Sequence, residues 1–140
     1  MVKEEGFVRL MNHLKSKYPI PNRCTMSNKI IPNMYEVCRD LIMTMLTNIS
    51  HISFTTDFWS SNSGDQFLSL TGHCTFENFD VQVVVLYAKP FFDRHTGVNI
   101  AATIDSMIEE YHIPDNKVHF IVHDSASNMI KGIDQSKFDS

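Results

Sequence analysis

The sequence lacks the patterns of a zinc finger, a disulfide framework and a membrane helix. It has only three cysteines, an odd number set far apart at Cys24, Cys38 and Cys74, which favours free thiols over bridges. No Cys-x-x-Cys pair accompanies a His-x-x-x-His pair, which excludes a zinc finger from this chain. No apolar run reaches the ~18 residues of a membrane helix, and the first residues are not a signal-peptide core. We therefore expect an intracellular protein with no zinc site and no membrane partner.

A surplus of basic residues is also missing. The chain has 12 lysines and arginines against 16 aspartates and glutamates, which gives a net charge of −4. Because affinity for nucleic acid comes largely from the neutralisation of phosphates, we expect this segment to bind DNA weakly by itself. DNA is therefore expected as a partner only in the context of a longer protein.

The first fifty residues show the spacing of helices. Phe7, Leu10, Met11 and Leu14 predict a short helix over residues 5 to 16. Pro32 is a favourable first-turn residue and predicts the start of a longer helix. The apolar face of that helix is predicted to pack in a core, and it consists of Met34, Val37, Cys38, Leu41, Ile42, Met45, Leu46 and Ile49. We predict a helical lead-in segment over residues 1–50.

From residue 51 the apolar period changes from 3.6 to 2. Alternation over residues 51–59 and 68–76, followed after another turn by the largely apolar run 81–87, predicts an antiparallel meander of three strands. Thr96 is a predicted N-cap, and the following helix has an inner face of Ile100, Ala101, Ile104, Met107, Ile108 and Tyr111. Residues 118–122 predict a fourth strand, expected to be covered on both faces because it is mostly apolar. The order predicts a mixed α/β sheet over residues 51–140, in which the fourth strand lies parallel to the first.

Two aspartates stand at the ends of strands that this topology makes neighbours. Asp57 interrupts an apolar, β-branched strand, and Asp124 directly follows the fourth strand. Parallel neighbours lie ~4.8 Å apart, so the two carboxylates can converge on one ion, and such oxygen ligands suit Mg²⁺ or Mn²⁺. Plain structural roles stay open: Asp57 as the cap of the turn at residues 59–61, and Asp124 as the N-cap of the next helix.

Two strings around these aspartates resemble catalytic segments of the hAT transposases. Residues 54–61, FTTDFWSS, resemble the "TTDxWTS" segment that carries the first catalytic aspartate, and residues 123–132, HDSASNMIKG, resemble the "TDNASNMVKA" segment that carries the second. Residues 6–14, 21–23 and 30–35 resemble the family's helical lead-in, found also in zinc-finger BED-type proteins. Residues 95–100 resemble the start of its crossover helix. The resemblance thus runs in order from about Gly6 to Gly132.

The resemblance implies a ribonuclease-H-like fold and two-metal phosphoryl transfer on DNA, with an acidic triad as the ligand set. Carried over, Asp57 bridges the two Mg²⁺ or Mn²⁺ ions and Asp124 holds one of them. Around the strand ends, the resemblance gives Trp59, Ser60, Ser61 and Asn128 either pocket-shaping or structural roles. It also implies a nuclear location.

The third acid of the family, a glutamate, is expected beyond Ser140, because Glu109 and Glu110 fall in the crossover helix. The BED finger and the C-terminal dimerisation region are likewise expected outside this chain. We therefore expect a transposase-derived fragment that is inactive alone and holds no metal tightly. Its expected role is that of a nuclear interaction or regulatory module, which associates with itself or with full-length relatives. The alternative is part of an active metal-dependent transposase, completed by a downstream glutamate. In either case, one face of the incomplete sheet is expected to be uncovered and sticky.

Overall fold

The computed structural model describes residues 4–15 and 20–138. It divides into two compact units, Met1–Ile42 and Met43–Ser140. The predicted division of the chain at residue 50 stays a prediction. Among the described residues, no helix combines the length and apolar content that a membrane crossing requires.

The first helix, α1, spans Glu5–Leu14, and residue 16, where we predicted its end, lies outside the described residues. The predicted start of the next helix at Pro32 is wrong. Helical backbone begins at Arg23, with α2 over Arg23–Thr25, a π-helical turn over Met26–Ile30, and α3 over Ile31–Thr47. Proline lacks an N–H, and its ring collides with the carbonyl four residues earlier in a regular helix. The wider π turn before Pro32 accommodates the ring, so the helix continues through it.

The apolar face of α3 is buried only near its C-terminal end. Leu46 in the helix and Ile49 just after it are buried, whereas Met34, Val37 and Leu41 are exposed. The prediction that the whole face packs in a core is therefore wrong for the N-terminal half. Periodicity reports which residues share a face, but it does not report whether a partner covers that face.

The second unit contains the predicted mixed sheet, and the fold class is confirmed. The strands are β1 (His51–Ser60), β2 (Gln66–Thr75), β3 (Val81–Pro90) and β4 (Val118–Val122), in the order β3-β2-β1-β4. β1 pairs antiparallel with β2 and parallel with β4, and β2 pairs antiparallel with β3. The crossover from β3 to β4 contains α4 (Gly97–Glu110), and α5 (Ser127–Ile133) follows β4.

The core lies between one face of the sheet and α4. The buried residues of the two central strands alternate with less buried ones, as expected for a sheet with one packed face. Thr96 accepts a hydrogen bond from the Asn99 N–H and caps α4, as predicted. The predicted inner face of α4, including Tyr111, is buried in full. The Tyr111 ring packs edge-on against Tyr87 at 5.4 Å, and its hydroxyl donates to the Leu86 carbonyl.

The two outer strands expose apolar side chains. In β4, Phe120 and Val122 are exposed, so the prediction that this strand is covered on both faces is wrong. β4 is an edge strand among the described residues, and its composition alone does not distinguish an edge from a covered position. In β3, Val81, Val83 and Val85 are exposed in a row.

Candidate functional site

Asp57 lies near the end of β1, opposite Ser69 of β2. Its side chain is exposed, and Oδ1 accepts a hydrogen bond from the Phe58 N–H at 2.8 Å. Because the carboxylate meets solvent, the cost of burying a charge in a strand does not arise here. The hydrogen bond is to the next residue, so it does not cap the turn at residues 59–61. Strand alternation places Asp57 on the face opposite to buried Phe54 and Thr56.

Asp124 lies two residues beyond the end of β4 and is also exposed. Its Oδ1 accepts from the Ala126 N–H at 3.2 Å, which forms a local turn before α5. The N-cap of α5 is Ala126, without a side-chain hydrogen bond. The alternative that made Asp124 the N-cap is therefore wrong.

The parallel pairing of β1 with β4 ends two residues before each aspartate. Phe54 pairs with Ile121 and Thr55 with Val122. Neighbouring parallel strands are ~4.8 Å apart, and a register that continued unchanged past Val122 would set Asp57 opposite Asp124. Both residues thus lie at the carboxyl ends of adjacent parallel strands, the edge where open α/β sheets place their sites.

The two side chains have different surroundings. Asp124 lines a cavity of about 120 Å³ together with Phe58, His95, Ile100, Ala126, Asn128 and Met129. Because Phe58 follows Asp57 in the strand, the two side chains project from opposite faces. Asp124 lies past the end of β4, so strand alternation does not fix its direction. The structure therefore places both aspartates near the carboxyl ends of adjacent strands, and the direction of the Asp124 side chain decides whether the carboxylates can meet.

An aromatic cluster forms one wall of this cavity. The Phe58 ring packs edge-on against His95 at 4.5 Å and against Phe91 at 5.3 Å. The sequence placed His95 only in the string that resembles the start of the crossover helix and gave it no role at the site. A loop has no periodicity, so the sequence carries no signal for the contact of His95 with Phe58.

The other residues of the resembling strings have identifiable contacts. Trp59 stacks on Phe67 at 5.5 Å, on the same face of the sheet as Asp57. Ser60 donates to the side chain of Gln66, and Ser61 bonds within the turn that follows β1. These contacts favour structural roles for the two serines.

The two glutamates at the end of α4 lie in ion pairs. Glu109 pairs with Lys137, and Glu110 pairs with Lys89 at 3.1 Å. Lys137 also donates its N–H to Asp105, whose pKa is raised chiefly by burial. Glu109 and Glu110 each pair with a lysine, and neither residue lines the cavity beside Asp124.

The donor atoms at the strand ends fit a hard divalent cation as part of its ligand set. Each carboxylate uses Oδ1 for a backbone hydrogen bond, and no described residue bonds to either Oδ2. Carboxylate oxygens are the ligands that Mg²⁺ and Mn²⁺ prefer, with water at the remaining positions. Within residues 4–15 and 20–138, no group of three or more His, Cys, Asp or Glu is placed to hold a metal. A divalent-cation site at Asp57 and Asp124 therefore stays a prediction.

A wide cleft of the second unit lies at the other end of the sheet. It has a volume of about 760 Å³ and is open and polar. Lys117 lines it and donates to the Ile49 carbonyl at 2.8 Å and the Thr47 carbonyl at 3.5 Å. A lysine at the C-terminal end of a helix is favourable for the helix dipole, so this residue has a structural explanation.

The order of the strands, the parallel pairing of β1 with β4 and the acidic strand ends together define a ribonuclease-H-like domain of the hAT transposase type. The sequence profile of the ZBED1 RNase-like domain matches residues 55–137. The chain belongs to the family of ZBED1 RNase-like domains.

The chain is also similar in sequence to individual proteins whose names fit this family. The chain is 36% identical over 74 residues to the human zinc finger BED domain-containing protein 4, a match that covers 51% of the chain and 6% of that protein. It is 25% identical over 128 residues to the putative AC transposase of Zea mays, which covers 91% of the chain and 16% of the relative. The putative AC9 transposase of Zea mays matches over the same share of the chain. The chain thus spans a small part of the length of these relatives.

Proposed function

We propose that this chain supplies two carboxylate ligands, Asp57 and Asp124, to a divalent-cation site that acts on DNA in a transposase-type phosphoryl transfer. The observation that carries the proposal is the parallel pairing of β1 with β4, whose last partners, Thr55 and Val122, each lie two residues before one of these aspartates. By itself, the chain is proposed to hold the cation weakly and not to cut DNA.

The expected weakness follows from the number and exposure of the ligands. Two solvent-exposed carboxylates supply two of the six oxygen ligands that Mg²⁺ prefers, and interactions between exposed charges are screened by salt. Two-metal sites activate the attacking oxygen and stabilise the leaving one, which needs more acidic ligands than this pair. Asp57 would be a ligand of both ions, and Asp124 would be a ligand of one of them. The hydrogen bonds from the Phe58 and Ala126 N–H groups would orient the two carboxylates.

Calorimetric titration with Mn²⁺ tests the pair. We compare the wild-type chain with Asp57→Asn, Asp124→Asn and a control, Asp93→Asn, which removes the same charge from another exposed aspartate. We expect millimolar affinity that falls about tenfold in each of the first two variants and stays unchanged in the control. Equal affinity in all four proteins, or no binding by the wild type, would contradict the proposal.

A second candidate is a nuclear interaction module, and the exposed row of valines on β3 favours it. Exposed apolar rows are typical of interaction sites. The test is live-cell imaging of the fluorescently tagged chain with photobleaching recovery. Nuclear enrichment with slowed recovery is expected if the chain has a nuclear partner, whereas an even distribution with fast recovery would contradict this candidate.

A further inference from the structure

β3 is a long edge strand with one unpaired side. It spans Val81–Pro90 and pairs with β2 on one side. No described strand pairs with its other side. Unpaired backbone N–H and C=O groups on an edge strand are a template for another strand.

The hydrogen bonds at the two ends of the β2–β3 ladder show which residues of β3 point outward. At one end the Phe76 N–H donates to the Asp80 carbonyl, and at the other the Phe91 N–H donates to the Gln66 carbonyl. Backbone groups alternate between the two sides of a strand in an antiparallel ladder. The backbone groups that point away from β2 therefore belong to Val81, Val83, Val85, Ala88 and Pro90.

A bulge keeps this alternation consistent along the strand. Leu70 pairs with Tyr87 and Thr71 with Val85, so Leu86 is an extra residue. Proline at position 90 has no N–H, and this position requires none because it faces outward. The free edge thus offers complete backbone hydrogen-bonding groups at three alternate valines and at Ala88.

The side chains at the same positions are apolar and uncharged. Val81 is 61% exposed, and Val83 and Val85 are each 62% exposed. The only charged residue of β3 is Lys89, which already pairs with Glu110. Edge strands are usually protected from pairing by charged residues or by an interior proline, and β3 has neither between Val81 and Ala88.

We propose that β3 pairs with β3 of a second copy of this chain, antiparallel about a two-fold axis at Val84. In this register, Val83 of each copy lies opposite Val85 of the other, and Val81 lies opposite Ala88 across the bulge. All four outward residues then form hydrogen-bonded pairs, with valines beside valines on one face of a continuous sheet.

Self-pairing is favoured over a foreign strand by the symmetry of the edge. A two-fold axis normal to the sheet keeps each copy's faces on the same side, so opposing residues must project from the same face. Val83 and Val85 satisfy this requirement with each other, and the bulge at Leu86 restores it for Val81 and Ala88. A two-fold interface of this kind uses the same patch on both copies, and no charge on the patch opposes its approach to itself.

Sedimentation velocity over a concentration series tests the edge. Val83→Pro removes an outward N–H and leaves the hydrogen bonds to β2 in place, and Val83→Lys adds a charge to the valine row. We expect a wild-type monomer–dimer equilibrium whose Kd rises at least about tenfold in both variants. The control is Val98→Lys, because Val98 lies on α4 and is 65% exposed. Its Kd is expected to match the wild type.

A designed disulfide tests the register. In a non-hydrogen-bonded antiparallel pair the Cα atoms are ~4.5 Å apart, within disulfide range, so Val84→Cys should cross-link to itself across the two-fold axis. The background carries Cys24→Ser and Cys38→Ser, which remove the exposed thiols. Gln82→Cys is the control, because in this register it lies opposite the bulge of the second copy and far from its own equivalent.

Three results would overturn the proposal. These are a wild-type chain that stays monomeric at all concentrations, a dimer that Val83→Pro leaves unchanged, and cross-linking of Gln82→Cys in place of Val84→Cys. A dimer that is lost in Val83→Lys but kept in Val83→Pro would indicate face-to-face stacking of the sheets. None of these outcomes depends on the carboxylate pair, so this proposal and the cation site fail or hold separately.

Discussion

At the scale of single residues, two glycines set the distance between α4 and α5. A Cβ atom on Gly97 would lie 2.9 Å from the Lys131 carbonyl carbon and oxygen, and one on Gly132 would lie 2.7 Å from Ile100 Cγ2. Ile100 and Met129, one from each helix, line the cavity beside Asp124. The shape of that cavity therefore depends on two positions where no side chain fits.

We predict that Gly97→Ala lowers the free energy of unfolding by about 1–3 kcal/mol, the usual cost of overpacking. The clash is with the backbone of Lys131, which cannot rotate away as a side chain would. Gly6→Ala in α1 is the control, because a Cβ atom there meets nothing within 4 Å. Urea denaturation of both variants checks this, and equal midpoints for Gly97→Ala and wild type would refute it.

The thiol of Cys74 is predicted to be unreactive in the folded protein. Burial raises its pKa from 9.0 to about 11, so it stays neutral at pH 8, while Cys24 and Cys38 are exposed. A colorimetric thiol assay should therefore give two fast equivalents, with the third appearing on unfolding.

The same burial makes stability depend on pH. Because the pKa of the Cys74 thiol is higher in the folded than in the unfolded protein, the neutral thiol's contribution to stability is present below pH 9 and is lost between pH 9 and about 11. Three fast equivalents in the native protein would contradict the predicted protection of the Cys74 thiol.

At the scale of elements, the β2–β3 hairpin closes on a strained residue. The Phe76 carbonyl accepts from the Phe79 N–H at 2.9 Å, and Phe79 has a φ of 63°. This left-handed conformation costs a non-glycine residue about 1–2 kcal/mol. The Phe79 side chain is 86% exposed, so packing offsets little of that cost.

We predict that Phe79→Gly raises the free energy of unfolding by about 1 kcal/mol, because glycine adopts positive φ without strain. Phe92→Gly is the matched control: Phe92 is 89% exposed but has no positive φ, so glycine there should be neutral or destabilising. Thermal denaturation of the two variants gives the comparison. A lower Tm for Phe79→Gly than for wild type would show that the ring contributes more than the strain costs.

The sequence predicts those elements whose signal is local. Alternation identified the first two strands and apolar runs the other two, and Thr96 with the apolar face from Ile100 to Tyr111 identified α4. The helix from Arg23 to Thr47 was placed too late, because a proline normally begins a helix and the π turn that tolerates Pro32 leaves no pattern. Exposure of Met34 in α3 and Phe120 in β4 could not be predicted, since coverage depends on what packs against an element.

The sequence predicted the strands that carry the candidate site, but not the surroundings of its side chains. Topology and the resembling strings predicted that β1, which contains Asp57, and β4, which precedes Asp124, are parallel neighbours, and the structure pairs them so. The shared site itself stays a prediction. The cavity beside Asp124 and its aromatic wall of Phe58 and His95 depend on a loop conformation and on strand-end geometry. No sequence period encodes either of these features.

At the scale of the whole molecule, the charge predicts how the chain meets DNA. With a net charge of −4 and few phosphate contacts to make, the 140-residue chain should bind duplex DNA no more tightly than nonspecific proteins do, with a Kd above ~10⁻⁶ M at physiological salt. Fluorescence anisotropy with a labelled duplex at two salt concentrations checks this. A submicromolar Kd at physiological salt would contradict it.

The central claim is that Asp57 and Asp124 serve one cation, and Mn²⁺ relaxation mapping by NMR tests it most directly. Titration of the ¹⁵N-labelled chain should broaden the amide signals of Phe58 and Ser125 together, and Asp57→Asn and Asp124→Asn should each raise the Mn²⁺ concentration needed for both effects about tenfold. An Asp57→Asn or Asp124→Asn variant that leaves both effects unchanged, or broadening centred on acidic residues elsewhere such as Glu109 and Asp115, would show that the two carboxylates do not share an ion.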